Sequence, residues 1–203
     1  MISKPKFKIC RRLGPGVYDK CQTTKFSTSG GLANRGGAMG KRPKALSEYG
    51  TQLIEKQKIR FSYGITERQL SNYVKKATQT KGSGTTDKFY EELESRLDNV
   101  IYRIGLAASR RAARQMVSHG HFIVNDHKVT IPSYALKAGD IIKIREGSKG
   151  SKLFEAIPER LKEYKFPAWV SFDTATLQGK VLAKPKNIET FLDLNAVLEF
   201  YSR

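Results

Sequence analysis

Hydrophobic periodicity is absent from residues 1–46 and sets in at Ser47. In SEYGTQLIEKQKIRFSYG the apolar points are Leu53, Ile54 and Phe61, with Lys56, Lys58 and Arg60 between them, and Gly64 stands where a helix would end. The next stretch, TERQLSNYVKKATQT, opens with Thr66-x-x-Gln69, the spacing of a capping box. Its Leu70, Tyr73, Val74 and Ala77 follow i, i+3, i+4, i+7, which predicts an amphipathic helix. Residues 80–87 read as a loop. A third helix is predicted from about Lys88, carrying Phe89, Leu93, Leu97, Val100, Ile101 and Ile104, with a restart at Ser95-x-x-Asp98 and Gly105 at its end.

The pattern then changes. Ser109 is a predicted cap for a helix over Arg110–Ser118, with Ala112, Ala113, Met116 and Val117 on one side and Arg110, Arg111 and Arg114 on the other. Gly120 ends it. FIVNDHKVTI predicts a hairpin turning at Asn125-Asp126, since both residues tolerate the left-handed backbone of a tight turn. AGDIIKIRE adds a third strand. Further on, PERLKEYK predicts a short helix with Pro158 near its start, and LNAVLEFYSR a helix capped by Asn195 with Val197, Leu198 and Tyr201 facing inward.

Charge changes this picture most. Lys and Arg number 37 against 19 Asp and Glu, a net +18, which favours polyanionic partners and nucleic acid first. Residues 1–46 hold 11 Lys and Arg and one acid, in a Gly- and Ser-rich setting. They read as a basic extension that gains order against a polyanion. The longest apolar runs are too short to span a bilayer, and MISKPKFKICRR lacks the apolar stretch of a signal peptide, so the expectation is no membrane, with a cytoplasmic protein or one in an organelle of bacterial ancestry.

Catalytic and metal constellations are weak. Cys10 and Cys21 are too few for a structural zinc site and read as two ordinary thiols; no metal and no cofactor is expected. His119, His121 and His127 lie within nine residues, with Asp126 the one acid nearby, so two readings stand for the rings: stacking on RNA, or packing. Neither G-x-x-x-x-G-K-[ST] nor G-x-S-x-G occurs. What remains is the arginine face. Arg110, Arg111 and Arg114 have no compensating acid on their own helix, and guanidinium forks suit phosphates.

Arg96-Leu97-Asp98, Tyr102-Arg103, Ser109…Arg114…Val117, Val124-Asn125, Ile131-Pro132-Ser133 and Gly139-Asp140 together resemble the RNA-binding module named after small-subunit ribosomal protein four. The flanks SEYGTQLIEKQKIRFSYGITERQLSNYVKKA, LQGKVLAKP and LEFYSR extend the likeness to the bacterial-type ribosomal protein four family, over about residues 41–203. Some members of that family carry a four-cysteine zinc site near the N-terminus, which this chain lacks.

The resemblance implies an α+β chain: a mainly helical domain with an inserted α+β module of two helices on a short antiparallel sheet. The expected division is a basic extension at 1–46, a helical domain at 47–93 completed by 175–203, the module at 94–157, and a connecting segment at 158–174. It also implies a non-enzymatic constituent of the small ribosomal subunit that binds small-subunit ribosomal RNA directly, helps nucleate assembly and contributes to translational accuracy. Implied partners are that RNA, small-subunit protein five and mRNA where it enters the subunit. The RNA-contacting residues expected are Lys41, Arg42, Lys44, Lys56, Lys58, Arg60, Arg68, Arg103, Arg110, Arg111, Arg114, His119, His121 and Asn125. Two other classes remain: an RNA-modifying enzyme carrying the same module, and an architectural DNA binder supported by charge alone.

Overall fold

A computed structural model describes residues 5–24, 26, 46–79, 84–155, 157–161, 164–173, 176–186 and 191–202. They form two compact units, one holding the described residues up to 74 and those from 191, the other those between 75 and 186. No helix among them is long and apolar enough to cross a membrane.

The first unit is helical. It begins with α1 (Lys6–Leu13) and two short turns of tighter helix, Pro15–Val17 and Asp19–Gln22. Cys10 and Cys21, both buried, are joined as a disulfide with a Cα–Cα distance of 6.4 Å, beside Phe26 and Tyr18. This corrects the reading of two separate thiols. The turns after Leu13 double the chain back, and nothing in the spacing of the two cysteines announces that.

Next come α2 (Glu48–Tyr63) and α3 (Glu67–Gln79). Ser47 caps α2 by accepting from the Gly50 amide, and Gly64 closes it in the left-handed region at φ 62°. The capping box opening α3 is formed: Thr66 Oγ accepts from the Gln69 amide while Gln69 Oε1 accepts from the Thr66 amide. The last helix, α10 (Leu194–Ser202), packs on α2. Its cap is Asp193, whose Oδ1 accepts from the Ala196 amide, and not Asn195. Val197 faces inward as predicted and is fully buried.

The second unit carries α4 (Thr85–Glu94), α5 (Leu97–Arg103) and α6 (Arg110–Ser118), then β1 (Phe122–Val124), β2 (His127–Lys128) and β3 (Ile141–Ile144). Three short helices follow, α7 (Glu146–Lys149), α8 (Lys152–Glu155) and α9 (Ile157–Leu161), and then β4 (Val170–Asp173) and β5 (Gln178–Val181). The sheet runs β2-β1-β3-β5-β4, antiparallel throughout. Its first turn is the predicted hairpin, with Asn125 at φ 47° and Asp126 at φ 69°. Leu97, Val100 and Ile101 of α5, Ile104 just after it, and Ala113, Met116 and Val117 of α6 meet Phe122, Val124, Ile142 and Ile144 of the sheet in one core.

The fold is therefore α+β, but the expected boundaries move. The sequence reading gave residues 158–174 to a connecting segment and placed 175–186 in the helical domain. Val170–Asp173 and Gln178–Val181 instead extend the module's sheet, and Val170 and Val181 lie in its core. Each strand is four residues long, and β5 contains Gly179, so neither shows a local alternation strong enough to read.

Candidate nucleic-acid interface

The module's arginines are held from behind. Ser109 caps α6 by accepting from the Ala112 amide, and burial of Ala113, Met116 and Val117 turns the opposite side of the helix outward. Arg111 is exposed there. Arg110 and Arg114 instead lean towards acids on the preceding helices. Glu94 and Asp98 are buried, at 0% and 1% exposure. Arg103 donates Nε and Nη2 to the two oxygens of Glu94, both at 2.8 Å. Arg96 and Arg114 both bond to Asp98, Arg96 through Nε at 3.0 Å and Nη2 at 2.8 Å, Arg114 through Nε at 2.8 Å and Nη2 at 2.7 Å. Arg110 donates Nε to Asn99 Oδ1 at 2.7 Å, lies 3.9 Å from Glu94, and sets its guanidinium 4.6 Å from the Tyr102 ring centre. Burial, and then the Glu94 charge, push the neighbouring Tyr90 phenol up to about 12.

Two carboxylates thus face four guanidiniums, which leaves a positive surplus on this face. The α6 arginines have no acid on their own helix, as the sequence shows, and their compensation comes from α4 and α5. Sequence reasoning missed Glu94, Arg96, Asp98 and Asn99 as members of the site. A signal existed, because Glu94, Ser95, Arg96, Asp98 and Asn99 interrupt an apolar stretch in which every residue from Leu93 to Ile101 is buried. Buried charges need partners, so such a run points to a network.

The two readings of the histidines separate. His121 Nδ1 lies 3.0 Å from Ser148 Oγ, and its ring meets Phe154 edge-on. Burial first, then His119 and Arg145, hold its pKa below the usual imidazole value. His121 packs. His119 is exposed at the end of α6, with its ring 6.1 Å from that of His121. Asn125 is spent on the hairpin: its Nδ2 donates to Asp140 at 2.8 Å and its Oδ1 accepts from the Ile141 amide at 3.0 Å.

In the helical unit, Lys56 points inward. It is 8% exposed, bonds to Glu67 at 2.9 Å, and sits 4.2 Å from the Phe200 ring centre. The structure thus places this expected RNA contact inside the unit, because that face of α2 is covered by α10. Lys58 pairs with Glu55, and Arg60 with Glu67 at 3.2 Å. Arg68 is exposed on α3. Lys41, Arg42 and Lys44 lie outside the described residues. Among the described residues no group of three or more His, Cys, Asp or Glu is placed to hold a metal ion.

Comparison with known proteins gives a consistent result. Residues 2–94 match the family described as ribosomal protein S4/S9 N-terminal domain, and residues 95–142 match the S4 domain. The small ribosomal subunit protein uS4 of Acetivibrio thermocellus is 44% identical over 204 residues, covering 97% of this chain and 96% of that one. Its counterpart in Syntrophomonas wolfei is 44% identical over 96% of this chain and 95% of its own. That of Thermotoga maritima is 41% identical over 98% and 97%.

Proposed function

From the premise that the chain belongs to the ribosomal protein S4/S9 family, we propose that it is a structural constituent of the small ribosomal subunit, binding the subunit's RNA directly. The observation that carries this reading is the module's arginine face, where cations outnumber the buried acids two to one and the outer parts of Arg103, Arg110 and Arg114 reach the surface beside Arg111. Planar guanidiniums held this way suit RNA phosphates. Arg68, His119 and the basic stretch containing Lys41, Arg42 and Lys44 are further proposed contacts. Asn125 and His121 act by supporting the hairpin and the end of α6.

The same reading has the chain help nucleate subunit assembly and contribute to translational accuracy, next to small-subunit protein five and close to mRNA where it enters the subunit. Its proposed location is the cytoplasm, on ribosomes. The family is one of structural proteins, and the RNA-modifying alternative has no support. Binding of the full chain to deproteinised small-subunit ribosomal RNA, measured over a range of salt, tests the proposal. Tight binding that weakens linearly on a log–log salt plot, with a slope of several phosphates, is expected. Binding to duplex DNA with equal affinity would overturn it.

A further inference from the structure

We propose that Glu94 and Asp98 are positioning residues for RNA recognition: buried carboxylates that fix the guanidinium planes of Arg103, Arg110 and Arg114 before the RNA arrives. The inference rests on the reading of this face as an RNA-binding surface.

The geometry is more specific than stability alone requires. A buried ion pair is a weak source of stability, and apolar residues of similar volume often serve as well. Here, moreover, the cations are in excess. Each fork is gripped along one edge. Arg103 gives Nε and Nη2 to Glu94, and Arg114 gives Nε and Nη2 to Asp98. The guanidinium is planar and carries five N–H groups, so gripping that edge leaves the remaining N–H groups on the other edges and fixes their direction. The side chains of Arg103 and Arg114 are 30% and 27% exposed, so part of each fixed guanidinium plane reaches the surface.

Arg110 is oriented at one remove. Asn99 donates Nδ2 to Glu94 Oε2 at 3.0 Å, which turns its Oδ1 towards Arg110 Nε, while the Tyr102 ring sets the plane of the guanidinium. Glu94 therefore governs two arginines, one directly and one through Asn99. Holding long side chains in their bound geometry lowers the ordering cost of association.

This assignment makes a prediction opposite in sign to simple charge counting. Glu94→Gln and Asp98→Asn each remove one negative charge and keep a side chain of the same shape. If the acids only offset charge, each variant binds small-subunit ribosomal RNA more tightly than wild type. If they position, each folded variant binds about tenfold more weakly or worse, with a salt slope shallower by about one to two phosphates. Arg103→Lys and Arg110→Lys provide the same test should an amide variant fail to fold. They conserve charge and lose the fork, and weaker binding with a shallower slope is again expected. Equal or tighter binding by a folded amide variant, or unchanged binding by both lysine variants, overturns the proposal. Failure of the wild-type chain itself to bind would instead overturn the reading of the surface, so the two outcomes are distinct.

Discussion

Tyr201 donates its hydroxyl to Glu67 Oε1 at 2.7 Å, joining residues 134 positions apart in the chain. The same carboxylate takes Lys56 and Arg60, so one acid ties α2, α3 and α10 together. Burial pushes the Glu67 carboxyl up, but the hydrogen bonds from Lys56 and Tyr201, the Lys56 charge and the hydrogen bond from Arg60 outweigh it and hold it below the usual carboxylate value. Burial and Glu67 together push the Tyr201 phenol up, so it remains a donor at any ordinary pH. Tyr201→Phe is expected to cost about 1 kcal/mol of unfolding free energy, read from urea midpoints. Because the folded-state pKa of Glu67 is depressed, its contribution is complete above the ordinary glutamate value of 4.5 and is lost as pH falls through the lower folded value. Glu67→Gln should flatten that acid limb.

His121 predicts a second, separate limb. Its folded pKa lies below the ordinary imidazole value of 6.5, since burial, His119 and Arg145 all disfavour the charged ring. Its contribution is therefore complete above 6.5 and declines as pH drops through the folded value. Urea midpoints should fall between pH 7.5 and 5.5 in the wild type, and should fall less in His121→Gln. An equal decline in both proteins would show that the ring does not titrate as described.

Arg111 and Arg114 should part company although both lie on α6. Arg114→Ala strips one of two guanidiniums from a buried carboxylate and should cost about 1.5–3 kcal/mol of stability, beyond any effect on RNA. Arg111→Ala, at an exposed position, should cost less stability and flatten the salt slope of RNA binding by a little under one. Denaturant melts and salt titrations on the same preparations separate the two behaviours.

Gly105 follows α5 at φ 75°, and a Cβ there would meet Leu161 Cδ2 at 2.6 Å. Leu161 is buried in the module core and has little room to give. Gly105→Ala should thus combine left-handed strain with overpacking, about 2–4 kcal/mol in all. Gly147→Ala, with nothing within 4 Å, should be close to neutral. Similar losses in both variants would contradict the packing described at Gly105.

Much of the local structure was legible because it is written in short-range chemistry. The Thr66–Gln69 box, the Ser109 cap, the left-handed end at Gly64 and the Asn125-Asp126 turn all depend on neighbours within a few residues. The α+β class followed from periodicity and from family resemblance. Three kinds of feature were not legible. Strand β5 depends on pairing with a distant β3 and β4 on pairing with β5, and each is too short to show a pattern. Lys56 looked like a surface cation because its cover, α10, lies far along the chain. The acids that hold Arg110 and Arg114 were missed because a helix-by-helix reading does not carry Glu94 and Asp98 across from α4 and α5.

The pairing of α2 with α10 also orders events during synthesis. The module's core contacts lie within residues 97–181, so that unit has all its partners before α10 is made. Helix α2 does not. From the moment Glu48–Tyr63 emerges until Leu194–Ser202 follows, Lys56 lacks Phe200 and Glu67 lacks Tyr201. A chain made from its N-terminus therefore completes the later-encoded unit first and closes the earlier one last, with an open seam along α2 for most of its synthesis.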